Sequence, residues 1–274
     1  MTINKYYTIA KNTLYPITRS ITGLGVRKTL TIIQREFPEL KIKKIKSGTK
    51  VFDWNVPPEW NVSDAYILDK NDKKIIDFKN NNLHLVGYSI PVKKHVSKQE
   101  LFKNLYFLKK QPTAIPYITS YYKKRWGFCV SYNQYKNLDK EYSSNDKFKV
   151  VVNSSLKKNG GLNYGELILK GSSKKEILIS TYICHPSMAN NELSGPVVSI
   201  ALVNWLLTLK KRRYTYRIVF IPETIGSILY LSKNLDHLKN HVSTWGLTRN
   251  LKSIRCYQFE GVGLENAVRQ KSMS

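Results

Sequence analysis

The chain has 274 residues, of which 42% are hydrophobic, so it can form one large or two modest domains and is too apolar for a disordered protein. Lys and Arg number 45 against 19 Asp and Glu, which gives a formal net charge of +26. No apolar segment reaches the roughly 20 residues of a membrane span, and the first residues lack the apolar core of a signal peptide. We therefore expect a cytoplasmic protein with no membrane partner.

The first half of the chain is predicted to be helical and then rich in strands. Apolar spacing in residues 1–37 indicates helices, with Gly23 and Gly25 between them. Residues 97–109 indicate a further, capped helix. Short runs with turn signals predict strands at residues 41–46, 50–54, 65–68, 74–78 and 83–90.

The second half of the chain predicts a strand, helix, strand unit. Residues 177–183 and 216–222 are apolar runs of strand length, and residues 196–209 carry a broad apolar face at helical spacing. In such a unit the strands are parallel, and their carboxyl ends meet at one edge. The fold class is therefore predicted as α/β, a mostly parallel sheet flanked by helices, with a smaller β-rich module. The expected divisions are N-terminal helices (1–40), the inserted module (41–145), the α/β core (146–242) and an atypical tail (243–274).

Candidate metal ligands follow the first of these strands. His185 comes directly after it, and Asn191 and Glu192 follow six and seven residues later. Neutral imidazole and carboxylate groups at close spacing are typical of hydrolytic metal sites. The alternative is a histidine that only forms a hydrogen bond within its loop, and the pattern leaves both interpretations open.

Glu223 is the second candidate, at the end of the second strand. Partial burial there should raise the pKa of its carboxyl group and suit it to accept a proton as a general base. Alternatively, and with equal support from the pattern, Glu223 only stabilises the start of a helix predicted at residues 225–231. Nucleophilic catalysis is less favoured, because Cys184 and His185 are adjacent and should point to opposite faces of an extended chain. Ser194 is expected to cap a helix.

Charge and cysteine content restrict the partners. The lysines are spread along the chain, and the tightest basic run, residues 210–213, lies between a predicted helix and strand, where a solvated loop is expected. Cys129, Cys184 and Cys256 lack the spacing of a disulfide framework or a zinc knuckle, which fits a reducing compartment. We do not expect nucleic acid as a partner.

Several motifs resemble one known family, the aminopeptidase-like proteins encoded with polysaccharide-biosynthesis genes, which are relatives of zinc-dependent exopeptidases. The resemblance covers roughly residues 10–242. The motifs are Arg19-Ser-Ile-Thr-Gly23, Ser47-Gly-Thr-Lys-Val-Phe-Asp-Trp54, Pro58-Glu-Trp60, Tyr88-Ser-Ile-Pro91, Trp126-Gly-Phe-Cys129, Cys184-His-Pro-Ser-Met-Ala-Asn-Asn-Glu-Leu-Ser-Gly195 and Pro222-Glu-Thr-Ile-Gly226.

The resemblance implies a role for individual residues. His185 matches the first metal ligand of the zinc aminopeptidases, and Asn191 stands where they carry a bridging Asp, with Glu192 as a substitute. Glu223 matches their general base, but Thr224 stands in the place of the ligand carboxylate that follows it. One zinc ion, or an unusual ligand set, is therefore expected rather than two ions. Residues 243–274 depart from the family pattern, which suggests a truncated or frame-shifted end.

Three functions remain as hypotheses. The first is a metallo-aminopeptidase-like hydrolase of a small peptide or amide substrate, linked to polysaccharide biosynthesis, in which zinc activates water and Glu223 carries the proton. The second is a catalytically incomplete remnant of that family. The third is a basic nucleic-acid-binding protein, whose binding would fall steeply with salt.

Overall fold

A computed structural model of the protein describes residues 3–241 and 256–258. The helices are α1 (Ile3–Thr8), α2 (Leu24–Glu36), α3 (Lys98–Lys103), α4 (Tyr132–Glu141), α5 (Ser194–Thr208) and α6 (Ile225–His241). The strands are β1 (Lys41–Lys46), β2 (Lys50–Val51), β3 (Trp54–Asn55), β4 (Glu59–Leu68), β5 (Lys74–Asp77), β6 (Val92–Ser97), β7 (Leu105–Tyr106), β8 (Phe128–Cys129), β9 (Lys147–Lys157), β10 (Gly161–Leu169), β11 (Glu176–Tyr182), β12 (Thr215–Ile221) and β13 (Cys256–Gln258).

The chain divides into two compact units. One contains the chain up to Val56 and the chain from Gly160 onwards, and the other is Pro57–Asn159. The sequence pattern placed the module at 41–145, but β1 pairs with β10 of the first unit, and β9 pairs with β4 and β6 of the second. The boundaries of the two units are set by strand pairing between distant segments, and a local sequence pattern does not reveal such pairing.

The first unit is built on a five-stranded sheet in the order β1-β10-β12-β11-β13. Strand β11 is parallel to both β12 and β13, whereas β10 is antiparallel to β1 and β12. The predicted α/β class is confirmed, and the described part of this sheet is mixed because β10 alone runs opposite to the other four strands.

Helices cover both faces of this sheet. Alternate residues of β12 point to opposite faces, so Ile218 and Phe220 belong to one core and Val219 and Ile221 to the other. The first core includes residues of α2 and α5, namely Val26, Leu30, Ile33, Ile200, Val203 and Leu206. The second includes Leu229 and Leu238 of α6. Burial on both faces explains why the two central strands are continuous apolar runs.

The second unit is a small β-rich module with two short helices. Its four-stranded antiparallel sheet has the order β5-β4-β9-β6, and the predicted hairpin is the β4–β5 pair. Helix α3 begins at the predicted cap, where the Ser97 side chain accepts the backbone N–H of Glu100. Ser131 and Gln134 form a reciprocal cap at the start of α4.

Two predicted elements of this unit are wrong. Residues 83–90 do not form a strand, because Asn81 caps a short 3-10 turn at Asn82–His84 and Tyr88 has a positive φ of 64°. The helix predicted to reach residue 109 ends at Lys103, and the chain continues into the short strand β7. In both places the apolar pattern fits a longer element than the one that forms.

The tail predicted at 243–274 lies outside the described residues except for β13, whose Cys256–Gln258 pair with Leu178–Ser180 of β11. Within the described ranges, none of the helices combines the length and apolar character needed to cross a membrane.

Candidate functional site

The candidate site lies where β11 and β12 end side by side. Their parallel register runs to Tyr182 and Ile221, and the backbone N–H of Ile183 donates to the carbonyl of Ile221 at 3.0 Å. The predicted parallel arrangement is confirmed. It brings the residues after both strands to one edge of the sheet, where α/β folds commonly hold their ligands.

The imidazole of His185 bridges two carboxylates at this edge. Its Nδ1 lies 2.8 Å from Oε2 of Glu192, and its Nε2 lies 3.2 Å from Oε2 of Glu223. The Glu192 side chain is fully buried, whereas that of Glu223 is 41% exposed. The ring therefore has one nitrogen facing the interior and the other facing a carboxylate that reaches solvent.

These contacts set the charge states of the site. Burial opposes the charged form of His185, but hydrogen bonds with Cys184, Glu192 and Glu223 raise its pKa above the usual 6.5. The hydrogen bond with His185 lowers the pKa of Glu223, which outweighs the effect of burial. The prediction that burial raises the pKa of Glu223 is therefore wrong, because a cationic neighbour contributes more than partial desolvation.

Cys184 is also part of the site. Its Sγ lies 3.7 Å from Nδ1 of His185 and accepts the backbone N–H of Glu223 at 3.2 Å. The expectation that Cys184 and His185 point apart is wrong, because β11 ends at Tyr182 and the alternation of an extended strand no longer applies. Burial raises the pKa of the Cys184 thiol, so the structure does not favour a nucleophilic thiolate.

The donor atoms present match those that zinc takes. Donor atoms of Cys184, His185 and Glu192, all buried, lie within 4.8 Å of one another. Imidazole nitrogen, thiolate sulfur and carboxylate oxygen are the three common ligand types of zinc in proteins. Oε1 of Glu192 is buried and forms no hydrogen bond. This buried carboxylate oxygen, which meets Arg19 at 3.3 Å without a hydrogen bond and stands beside two further donors, fits a site that completes its coordination with a metal cation.

The other predicted ligand, Asn191, lies differently. Its side chain is exposed, and its backbone carbonyl accepts a short hydrogen bond from the Tyr182 hydroxyl. The Tyr182 ring in turn packs edge-on against His185, with 5.2 Å between ring centroids. The structure thus brings His185, Glu192 and Glu223 together and turns the Asn191 side chain outwards. A ligand role for Asn191 stays a prediction.

Sequence reasoning missed Arg19, which reaches the site from the segment before α2. Its Nε donates to the backbone carbonyl of His185 at 2.9 Å and lies 3.3 Å from Oε1 of Glu192. Its Nη1 donates to the carbonyl of Leu14 at 2.7 Å. The signal available in the sequence was an arginine at the start of the Arg19-Ser-Ile-Thr-Gly23 motif, but a contact 166 residues away has no local pattern.

Comparison with known proteins identifies the family. Residues 7–253 match the family model described as "Domain of unknown function (DUF4910)", so the chain belongs to that family. A "Putative polysaccharide biosynthesis protein with aminopeptidase-like domain" from Clostridium acetobutylicum is 50% identical over 227 residues, which are 83% of this chain and 50% of that protein. The chain therefore spans about half the length of this curated relative.

Solved structures agree on the fold. The crystal structure of a "putative peptidase" from Clostridium acetobutylicum is 47% identical, with a TM-score of 0.81 over 88% of this chain and 56% of the other. A zinc aminopeptidase from Bacillus subtilis has a TM-score of 0.58 over 94% and 68% of the two chains at 10% identity. A peptidase M28 precursor from Shewanella amazonensis has a TM-score of 0.55 over 87% and 69% at 11% identity. The predicted resemblance to aminopeptidase-like proteins is confirmed, and the two remote matches show the fold alone.

Proposed function

We propose that this chain carries the hydrolytic site of a metallo-aminopeptidase-like enzyme that cleaves a peptide or amide bond in a small substrate. The observation that carries the proposal is the His185 ring, held between Glu192 and Glu223 where two parallel strands end. The peptidase names of the relatives support the reaction class. The name of the curated relative also supports a link to polysaccharide biosynthesis, for example through an amide on a sugar precursor.

Zinc is the proposed metal, and His185 is the residue that we place first in its ligand set. Glu192 and Cys184 offer the other buried donors, and Asn191 is retained as the ligand that the family resemblance implies. When bound, zinc would polarise the scissile carbonyl and its own water. We expect one ion rather than two, since Asn191 and Thr224 stand where the zinc aminopeptidases carry further carboxylates.

Glu223 is the proposed general base. Its side chain is 41% exposed and can meet a substrate from solvent, and its Oε2 lies 3.2 Å from Nε2 of His185, so the base stands beside the proposed first ligand. Its lowered pKa keeps it a carboxylate at neutral pH, which is the form that accepts a proton. The backbone N–H of Glu223 donates a hydrogen bond to Cys184 Sγ, which holds the backbone of Glu223 in place.

A catalytically incomplete family member is the second candidate. It is favoured by the exposed side chain of Asn191 and by Thr224, which has no carboxylate to offer. Under this alternative the fold and the His185 contacts persist without hydrolysis. The buried, unpaired thiols of Cys129 and Cys184 suit the cytoplasmic location that we propose for either candidate.

Metal analysis of the purified chain tests the proposal. Mass spectrometry should find zinc in the wild type and much less in His185→Ala, while His237→Ala keeps the wild-type content. His237 is a matched control because it pairs with Glu176, the first residue of β11, and so lies at the opposite end of that strand. Zinc content equal in all three proteins would contradict the site. Zinc without hydrolysis of aminoacyl-nitroanilides would favour the incomplete family member.

A further inference from the structure

Arg19 is buried at the site in a way that its charge alone does not explain. Its side chain has no solvent exposure, and its guanidinium meets three separate groups, the carbonyls of Leu14 and His185 and the carboxylate of Glu192. Its Nη2 is buried and forms no hydrogen bond. Removing a guanidinium from water is costly, and one carboxylate seldom compensates fully. A buried arginine at this position therefore suggests that it holds the groups it contacts in place.

The backbone that carries Arg19 is itself fixed. A Cβ atom placed on Gly25, in the first turn of α2, would lie 1.9 Å from the carbonyl oxygen of Thr18 and 3.0 Å from Cα of Arg19. This contact is possible only because residue 25 has no side chain. The start of α2 therefore holds the Thr18–Arg19 peptide, and Arg19 reaches the site from a rigid support.

We propose that Arg19 is a positioning residue, which holds the His185 backbone and the Glu192 carboxylate in the relative position that a divalent metal ion requires. This inference rests on the proposed function, because it assumes the same ion. Groups that orient metal ligands without binding the ion commonly contribute 10-fold to 100-fold to metal affinity. The planar fork of arginine can meet several acceptors at once, whereas the ammonium of lysine cannot do so in the same directions.

Arg19→Lys tests whether the shape of the guanidinium matters, because lysine keeps the positive charge and lacks the planar group that meets several acceptors. Arg217→Lys is the matched control, because Arg217 is also a buried arginine, paired with Glu166 and Glu176. We expect both variants to lower the melting temperature. Only Arg19→Lys should weaken zinc binding, by about 10-fold to 100-fold, in competition with a chromophoric chelator at a temperature where circular dichroism shows every protein folded. Equal zinc affinity in Arg19→Lys and wild type would overturn the proposal.

Nuclear magnetic resonance of the His185 ring gives a readout that does not need the metal. In the wild type, the Nδ1 proton shared with Glu192 should exchange slowly with water. Arg19→Lys should shift this signal and speed its exchange, and Arg217→Lys should leave it unchanged. If the wild type binds no zinc, the proposed function fails. The Nδ1 proton signal of His185 then still tests whether Arg19 positions the His185 ring. An unchanged ring signal in Arg19→Lys would overturn the positioning role.

A double variant shows whether Arg19 acts through Glu192. Glu192→Gln keeps an oxygen for the Nδ1 proton and removes the charge that faces Arg19. If the two residues act as one unit, combining it with Arg19→Lys should weaken zinc binding by less than the product of the two single effects. Multiplicative losses would show that Arg19 acts independently of Glu192 and would refute this part of the proposal.

Discussion

Nδ1 of His185 and Oε2 of Glu192 are 2.8 Å apart although the residues are seven positions apart in the chain. The wide π-type turn at Ala189–Leu193 carries Glu192 back towards the end of β11 and leads directly into α5. Helical segments of this kind are rare and often occur at functional sites. The pair is thus formed within one loop, whereas Arg19 and Glu223 join it from distant parts of the chain.

We expect Glu223→Gln to lower any amide-hydrolysing activity by about 10²-fold to 10⁴-fold, since loss of a positioned base typically has that effect. Rates on aminoacyl-nitroanilides would be compared with those of Glu36→Gln, a control that removes a carboxylate paired with Lys5 at the surface. Zinc content should stay unchanged in the control. Full activity in Glu223→Gln would exclude the proposed base.

Stability should fall at acidic pH because of Glu166 and Glu176. Although burial opposes it, hydrogen bonds from Lys43 and Tyr230 lower the pKa of Glu166, and those from Arg217 and His237 lower that of Glu176. Groups with a lowered folded-state pKa stabilise the fold above their unfolded value, here 4.5, and lose this effect as the pH falls through the folded-state value.

Thermal unfolding between about pH 3 and about pH 7 measures this dependence. The melting temperature of the wild type should drop steeply below the unfolded-state pKa. Glu176→Gln should be less stable at neutral pH and show a shallower drop, whereas Glu36→Gln should follow the wild-type curve. A Glu176→Gln curve parallel to that of the wild type would rule out this carboxylate as a source.

Gly25→Ala should destabilise the protein by about 1–3 kcal/mol, as overpacking of a tight contact commonly does. The added methyl group would meet the Thr18 carbonyl at 1.9 Å, and this outweighs the better helix propensity of alanine. Urea unfolding gives the free energy. Gly48→Ala is a useful comparison, since among the described residues no atom beyond its two chain neighbours lies within 4 Å of its Cβ position, whereas its φ of +85° opposes the change. A stabilised Gly25→Ala would contradict the contact.

Cys184 should resist alkylation in the folded protein. Burial raises the pKa of its thiol and also raises that of Cys129, to about 12, so without a bound metal ion neither forms a thiolate at neutral pH. Peptide mapping after iodoacetamide treatment should find both unmodified, and both modified after denaturation in urea. Rapid labelling of folded Cys184 would revive a nucleophilic role.

The elements around the site could be predicted from the sequence because their signals are local. The two apolar runs and the helical face between them gave β11, β12 and α5, and the order of these elements placed His185 and Glu223 at one edge. The neighbours of these strands could not be predicted, since the antiparallel pairing of β10 with β12 joins segments about 50 residues apart, as in Gly165 with Phe220.

The contacts inside the site were less accessible to pattern analysis. Alternation along a strand wrongly separated Cys184 from His185, because it does not apply once the strand has ended. The pKa of Glu223 was predicted in the wrong direction because the position of the His185 ring depends on the fold. Arg19 belongs to the Arg19-Ser-Ile-Thr-Gly23 motif, yet nothing near it in the chain indicates that its guanidinium reaches Glu192.

The wide turn at Ala189–Leu193 makes the site depend on the exact number of residues between β11 and α5. Successive residues of an α-helix are rotated by about 100° around its axis. Deleting one residue here would replace the wide turn by a regular α-helical turn at the start of α5. Glu192 would then be rotated away from His185, whereas the sheet and the two cores would change little. A change in the length of this loop would therefore disrupt the site and leave the fold intact, an outcome that point mutations rarely produce.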